Sequence, residues 1–197
     1  VTATVETVKD VKVGVQNQQL GDIVIAETDK EMISHDPNGS INNEIRLDLP
    51  EGVKFAAKPK VEVIEGNLDI DEDGVDLVDN IGSDDRLVIP VEDSSTKASK
   101  IKISGIVVTI DRTVPEGDLF IKIGGGAIIE NQRANAQGWV DGRAVAGSNT
   151  DVDEGEFDTG TAVKLKVGTV VTPAPGEVKT TAVLVIGSTT MKVNGVD

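Results

Sequence analysis

The sequence predicts an all-β protein: an antiparallel β-sandwich of jelly-roll or Greek-key type, with about a dozen strands and essentially no helix. Three observations lead there. Valine and isoleucine together number 47, against nine leucines, and β-branched side chains lose rotamer freedom in a helix but fit a pleated surface. Short apolar runs recur about every 8 to 15 residues, the spacing of a sandwich or barrel. Between them stand turn signals such as Asn38-Gly39, Pro50-Glu51-Gly52 and Pro115-Glu116-Gly117, which suit tight I′ and type II turns.

Taken in chain order, Thr2 to Val8, Val11 to Gln16 and Asp22 to Thr28 read as the first strands. In Glu44-Ile45-Arg46-Leu47-Asp48-Leu49 the apolar residues share one parity and the charges share the other. That period of two marks a strand buried on one face. Val53 to Ala57 and Lys60 to Ile64 follow, and Arg86 to Val91 repeats the alternation with Leu87, Ile89 and Val91 inward. Lys100 to Arg112 is the longest run, and its apolar parity switches at Ser104-Gly105. A bulge or a sheet-changing kink is expected there. Leu119 to Ile123, Ala127 to Glu130, Ala162 to Val171 and Ala182 to Ile186 complete the set. Gly124-Gly125-Gly126 lacks the Lys-Ser/Thr and following helix of a phosphate loop, so it reads as a bulge or turn. Residues 1–171 are expected to form the sandwich body. The stretch Thr172-Pro173-Ala174-Pro175-Gly176 then links to a terminal strand in 172–197.

Composition limits the chemistry. The net charge of −15 repels nucleic-acid phosphate and anionic membranes, and no run reaches the ~20 apolar residues of a membrane-spanning helix. Neither nucleic-acid binding nor membrane insertion is expected. Cysteine is absent, which removes disulfides, thiolate metal sites and a cysteine nucleophile. His35 is the only histidine. It lies in a turn-rich loop, reads as solvent-exposed, and leaves no second member for a His-based site. Sugar-cleaving sites normally offer aromatic platforms, whereas Phe55, Phe120, Phe157 and Trp139 are all the aromatics here. No enzymatic activity is expected.

Two acidic stretches invite a hard cation. In Asp69-Ile70-Asp71-Glu72-Asp73-Gly74-Val75-Asp76, carboxylates at alternate positions precede a glycine that permits a sharp turn, so Asp69, Asp71, Asp73 and Asp76 are candidate calcium ligands. An EF-hand would need an apolar residue where Asp76 stands and Glu where Asn80 stands, with helices on both sides. The competing reading is a solvated acidic turn. Asp151, Asp153 and Glu156, around Gly155, form a second, less regular cluster.

Val183-Leu184-Val185-Ile186-Gly187-Ser188-Thr189-Thr190-Met191-Lys192-Val193-Asn194-Gly195-Val196 resembles the opening of the copper amine oxidase N-terminal-like, or stalk, domain: an apolar strand, Ile-Gly, a polar turn, an alternating strand and Asn-Gly. Ser99 to Gly117 is similar to regions that precede this module. The resemblance implies an extracellular, envelope-associated protein of Gram-positive type, with no oxidase activity. The chain opens on Val1 rather than Met, which fits removal of a leader or trimming.

The expected function is therefore structural: a secreted, acidic subunit of a surface fibre or surface layer at the cell envelope, assembling with copies of itself by β-strand addition and braced by calcium. Two donor strands are candidates. One is N-terminal, through Val1, Ala3 and Val5; the other is C-terminal, through Val183, Val185 and Ile186. The alternative is a secreted adhesion module that uses a loop face near Trp139 to bind glycan or protein.

Overall fold

The computed structural model describes residues 1–35, 43–128, 136–137, 145–146, 163–174, 183–186 and 189–192. The described elements are all strands. In chain order they are β1 (Thr2–Val5), β2 (Lys9–Lys12), β3 (Gln18–Gln19), β4 (Ile23–Ala26), β5 (Glu44–Asp48), β6 (Val53–Ala57) and β7 (Lys60–Glu65). β8 (Asp69–Ile70), β9 (Asp76–Val78), β10 (Arg86–Asp93), β11 (Lys100–Ser104), β12 (Val107–Ile110) and β13 (Gly117–Gly124) follow. The last are β14 (Ala136–Gln137), β15 (Val145–Ala146), β16 (Val163–Val171), β17 (Val183–Ile186) and β18 (Thr189–Lys192).

The body is a sandwich of three sheets around one core. A four-stranded sheet runs β1-β4-β11-β7, and a smaller one runs β3-β12-β6. The largest runs β2-β16-β13-β5-β10-β8, with β9 also on β10. Most neighbours are distant in sequence, as Greek-key connections require. Pairing is antiparallel except between β2 and β16, which run parallel.

The first two sheets are joined by a shared corner. β11 lies between β4 and β7, and β12 between β3 and β6. Three chain segments, 18–26, 53–65 and 100–110, therefore bend together from one sheet into the next. Such corners are made where strands change sheets by bends or bulges. On the middle segment the bend falls at Gly105, whose φ of +69° is left-handed. On the segment beside it Pro59 stands at the bend, where no ladder donor is needed. The Leu20 amide donates to the Ile106 carbonyl at 2.9 Å, which carries the ladder through the corner, and both side chains are fully buried. The parity switch at Ser104-Gly105 is thus a change of sheet.

The alternations place their apolar residues inward. Ile45, Leu47, Leu49, Leu87, Ile89 and Val91 are all buried. Phe55 is the one aromatic side chain in the core among the described residues. The turn after β5 is closed by the Val53 amide donating to the Pro50 carbonyl, with Gly52 at its third position and φ +81°, as a type II turn requires. The second Pro-X-Gly does not repeat this. There the close reversal comes earlier, with Val114 N–H directed at Asp111 O, and Gly117 opens β13. Ala127 to Glu130 is not a strand as far as it is described: Ile128 makes an isolated bridge to Ile33.

One close approach fixes the path of the first strands. A Cβ placed on Gly21 would overlap the Thr7 carbonyl oxygen, so the chain between β1 and β2 crosses a position that only glycine leaves clear. Gly21→Ala should therefore displace residues 1–12. The expected loss is about 1–3 kcal/mol, the range for overpacking, read by urea denaturation, with faster amide exchange confined to β1 and β2.

Candidate functional site

The acidic turn at Asp69–Asp76 joins the short strands β8 and β9, both paired to β10. Within it the Gly74 amide donates to Asp71 Oδ1 at 2.8 Å, and the Leu77 amide donates to Asp76 Oδ1 at 2.9 Å. Asp71 thus caps its own turn, a use common for Asp. Asp69, Asp73 and Asp76 point to solvent. Among the described residues no three acidic or histidine side chains gather as metal ligands. Asp151, Asp153 and Glu156 lie outside the described residues, as does Trp139.

Of the two candidate donor strands, β1 is engaged within its own chain. It pairs antiparallel with β4 from Thr2↔Ala26 to Val5↔Ile23, and Val1, Ala3 and Val5 pack partly buried against the core. The C-terminal candidate, Val183 to Ile186, pairs with β18 from Val183↔Lys192 to Ile186↔Thr189, its one strand partner among the described residues.

Two further sheet edges, β7 and β2, carry local devices. β7 carries Lys60, Glu62 and Glu65, and its register against β11 breaks at Ile64; charge and a bulge both discourage pairing. On β2, the Gln18 side-chain amide takes the place of a neighbouring strand at Lys12. Its Oε1 accepts from the Lys12 amide at 2.6 Å and its Nε2 donates to the Lys12 carbonyl at 2.9 Å.

Two buried polar groupings were not anticipated. The first is centred on Glu27, only 7% exposed, at the end of β4. Its Oε1 accepts from the Ile33 amide and the Ser95 hydroxyl, each at 2.8 Å, and its Oε2 accepts from the Ser99 amide at 2.7 Å. Ser95 Oγ in turn accepts from the Glu31 amide, and Ser99 Oγ accepts from the amides of Asn67 and Leu68. One carboxylate thereby ties the loop after β4, the turn after β7 and the loop before β11 into a single knot. His35 joins its margin: the ring Nδ1 lies 3.0 Å from the Val91 carbonyl, and the main-chain amide donates to Ser94 Oγ. The ring is half-buried rather than exposed, because this contact holds it against β10.

The second grouping crosses β5 and β10. Arg86 and Asp48 face one another in register, and the guanidinium donates through Nε to Asp48 Oδ1 at 2.7 Å and through Nη2 to Oδ2 at 2.9 Å. The hydrogen bond to Asp48 holds the Arg86 guanidinium above its usual range, against the opposing effect of burial. Arg46 pairs with Glu44 on the same strand. Asp85, next in line, accepts from the consecutive amides of Asn80, Ile81 and Gly82 at 2.7 to 2.9 Å.

A groove of about 450 Å³ opens nearby, lined in part by Gly14, Lys54, Ser83, Asp85, Asp111 and Arg112. Both of its carboxylates cap turns. Asp111 Oδ1 accepts from the Thr113 amide and hydroxyl, and these bonds, the amide first, hold its carboxyl below the ordinary range. Gly125 stands at a turn, as its sequence suggests, closed by the Ile128 amide donating to the Gly125 carbonyl at 3.2 Å. It sits where a Cβ would strike the Glu44 carbonyl oxygen, with φ +110°, so close packing on β5 accounts for it.

Sequence signals for the two groupings exist in hindsight. Ser94, Ser95 and Ser99 crowd a short link between strands, and opposite charges stand at Asp48 and Arg86 in two alternating runs. Comparison with protein-family models, with curated proteins and with solved structures finds no match.

Proposed function

We propose that this chain is a non-catalytic structural subunit of an extracellular fibre or surface layer, assembled from copies of itself by β-strand addition at the cell envelope. The observation that carries this reading is where the buried polar side chains are directed. Glu27, Asp48, Arg86, Ser95 and Ser99 each reach across to a backbone group or an opposite charge on another loop or strand, and Asp85 closes its own loop. They act as internal braces of the scaffold. The acidic surface and the resemblance of 183–196 to the start of an envelope stalk module support the setting.

The test is direct. Purified protein at rising concentration should show a growing fraction of polymer by sedimentation velocity, and filaments or sheets by negative-stain electron microscopy. A single monomeric species at every concentration and salt condition would refute the reading.

Calcium enters as a brace recruited on assembly rather than as a resident ion, since Asp71 is already capping its turn. Extracellular sites bind at about 0.1–1 mM. Assembly in 5 mM calcium, compared with chelator, should therefore proceed at a lower protein concentration. Equal thresholds in the two conditions would remove calcium from the account.

A further inference from the structure

We infer that residues 1–13 are the exchangeable strand of this assembly, and that the acceptor is the channel between β4 and β16 of a second copy of the chain. The inference rests on the strand-addition reading above and names its donor and acceptor.

The segment is built as a plug. Its first half, β1, adds antiparallel to β4, and its second half, β2, adds parallel to β16, so it closes two different sheets with one stretch of chain. The channel is shaped to admit backbone. Gly21 lies beneath the Thr7 carbonyl, and a Cβ on Gly168 would come within 2.8 Å of the Lys9 carbonyl oxygen. Glycine at both points removes the side chains that would fill the passage. Apolar side chains point into it: Val11 is 1% exposed, and Val1, Ala3, Val5 and Val13 pack on the core. At the rim the Glu6 amide donates to the Asp22 carbonyl, and Lys9 Nζ donates to the Leu20 carbonyl.

The plug joins the rest of the described chain through the short loop that follows Val13. That loop turns back sharply, with left-handed backbone at Gly14 (φ +70°) and at Asn17 (φ +55°). Asn tolerates this conformation less well than glycine. Straightening the loop removes the constraint and lets its four residues span up to about 14 Å. Short hinge loops under strain favour exchange of the element they hold. A neighbour's plug is chemically identical, so it refills the vacated channel with the same pairs and the same buried faces. Each copy then gives one plug and receives one. Such head-to-tail contacts continue as an open chain unless their rotation closes a ring. Among the other edges, β7 is charged and bulged and β8 has two residues.

The absence of cysteine makes a clean test possible. Thr4 and Val24 face each other across β1 and β4. Facing residues in antiparallel strands lie about 4.5–5.5 Å apart at Cα, within disulfide reach. The variant Thr4→Cys/Val24→Cys is assembled, oxidised and run on a denaturing gel without reductant. The expected result is a ladder of covalent dimers, trimers and longer species from assembled material, with monomer alone from the unassembled fraction. Thr2→Cys/Ala26→Cys, in the same register, should give the same ladder if the first pair disturbs folding. Assembled material that yields only internally closed monomer from both pairs would overturn the donor assignment and leave strand addition through another segment standing. Failure of the unmodified chain to assemble would overturn both.

Discussion

Replacing Asp48 with alanine should lower the unfolding free energy by about 3–5 kcal/mol, the range for breaking a buried ion pair by removing one partner. The magnitude follows from what is left behind. The Asp48 and Arg86 side chains are 5% and 10% exposed, and their bidentate contact crosses two central strands of the largest sheet. Without Asp48 the guanidinium keeps the attraction of Glu44 and Asp85 but loses its two short bonds and stays out of water. Urea denaturation with linear extrapolation measures the loss, and the melting temperature should fall by roughly 10 °C for a chain of this size. Removing both charges should cost much less. Asp48→Leu/Arg86→Met replaces the pair by apolar groups of similar volume, and such exchanges are often neutral. The double variant is expected within about 1–2 kcal/mol of the parent. A single Asp48→Ala loss below ~1 kcal/mol would mean that water screens the pair as it does a surface bridge.

Glu27→Ala should cost about 4.5 kcal/mol or more, because hydrogen bonds to a charged group contribute about 1.5–3 kcal/mol each and three are lost at once. The more telling variant is Glu27→Gln. Both carboxylate oxygens face donors only: the Ile33 amide and Ser95 hydroxyl on one side, the Ser99 amide on the other. A carboxamide keeps the shape but presents its NH₂ to one of these donors. The expected loss is about 2 kcal/mol, with faster amide exchange at Ile33 and Ser99 before any change in the core strands. Equal stability of Glu27→Gln and the parent would show that the knot has no need of the second acceptor oxygen.

The legible part of this fold was what repeats locally. Glu44 to Leu49 and Arg86 to Val91 alternate, and their inward sets are buried as the alternation demands. The switch of parity at Ser104-Gly105 marked a real change of sheet, since a kink that reverses which face is apolar must change what the strand packs against. The outward set of β5 was read less well. Arg46 and Asp48 alternate like surface residues, yet they are 7% and 4% exposed. β5 lies between β13 and β10, so charged side chains from both neighbours cover it, and strand order cannot be read from alternation.

The braces were illegible for a related reason. Glu27 binds residues 68 and 72 positions away, and nothing local to Glu27 announces Ser95 or Ser99. In the acidic turn the illegible part is orientation. Its spacing is local and suggestive, but spacing does not say which way a carboxylate turns, and Asp71 turns to its own backbone. The terminal strand, Val183 to Ile186, was legible as a strand from its apolar run. Its pairing with β18 was not, because residues 189–192 look like a weaker alternation beside it.

The account stands on main-chain hydrogen bonds joining one copy to the next, and hydrogen exchange followed by mass spectrometry tests that most directly. Assembled and unassembled protein are pulsed under identical conditions and compared strand by strand. The account predicts that assembly slows exchange along β1 and β2, whose opening as a free terminal segment in the monomer becomes the opening of a joint between two folded copies, by a hundredfold or more, about 3 kcal/mol of added protection, while the Glu27 and Asp48 regions stay as slow as before. Slowing limited to loop amides, with every strand unchanged, would mean that copies meet through side chains and would contradict it.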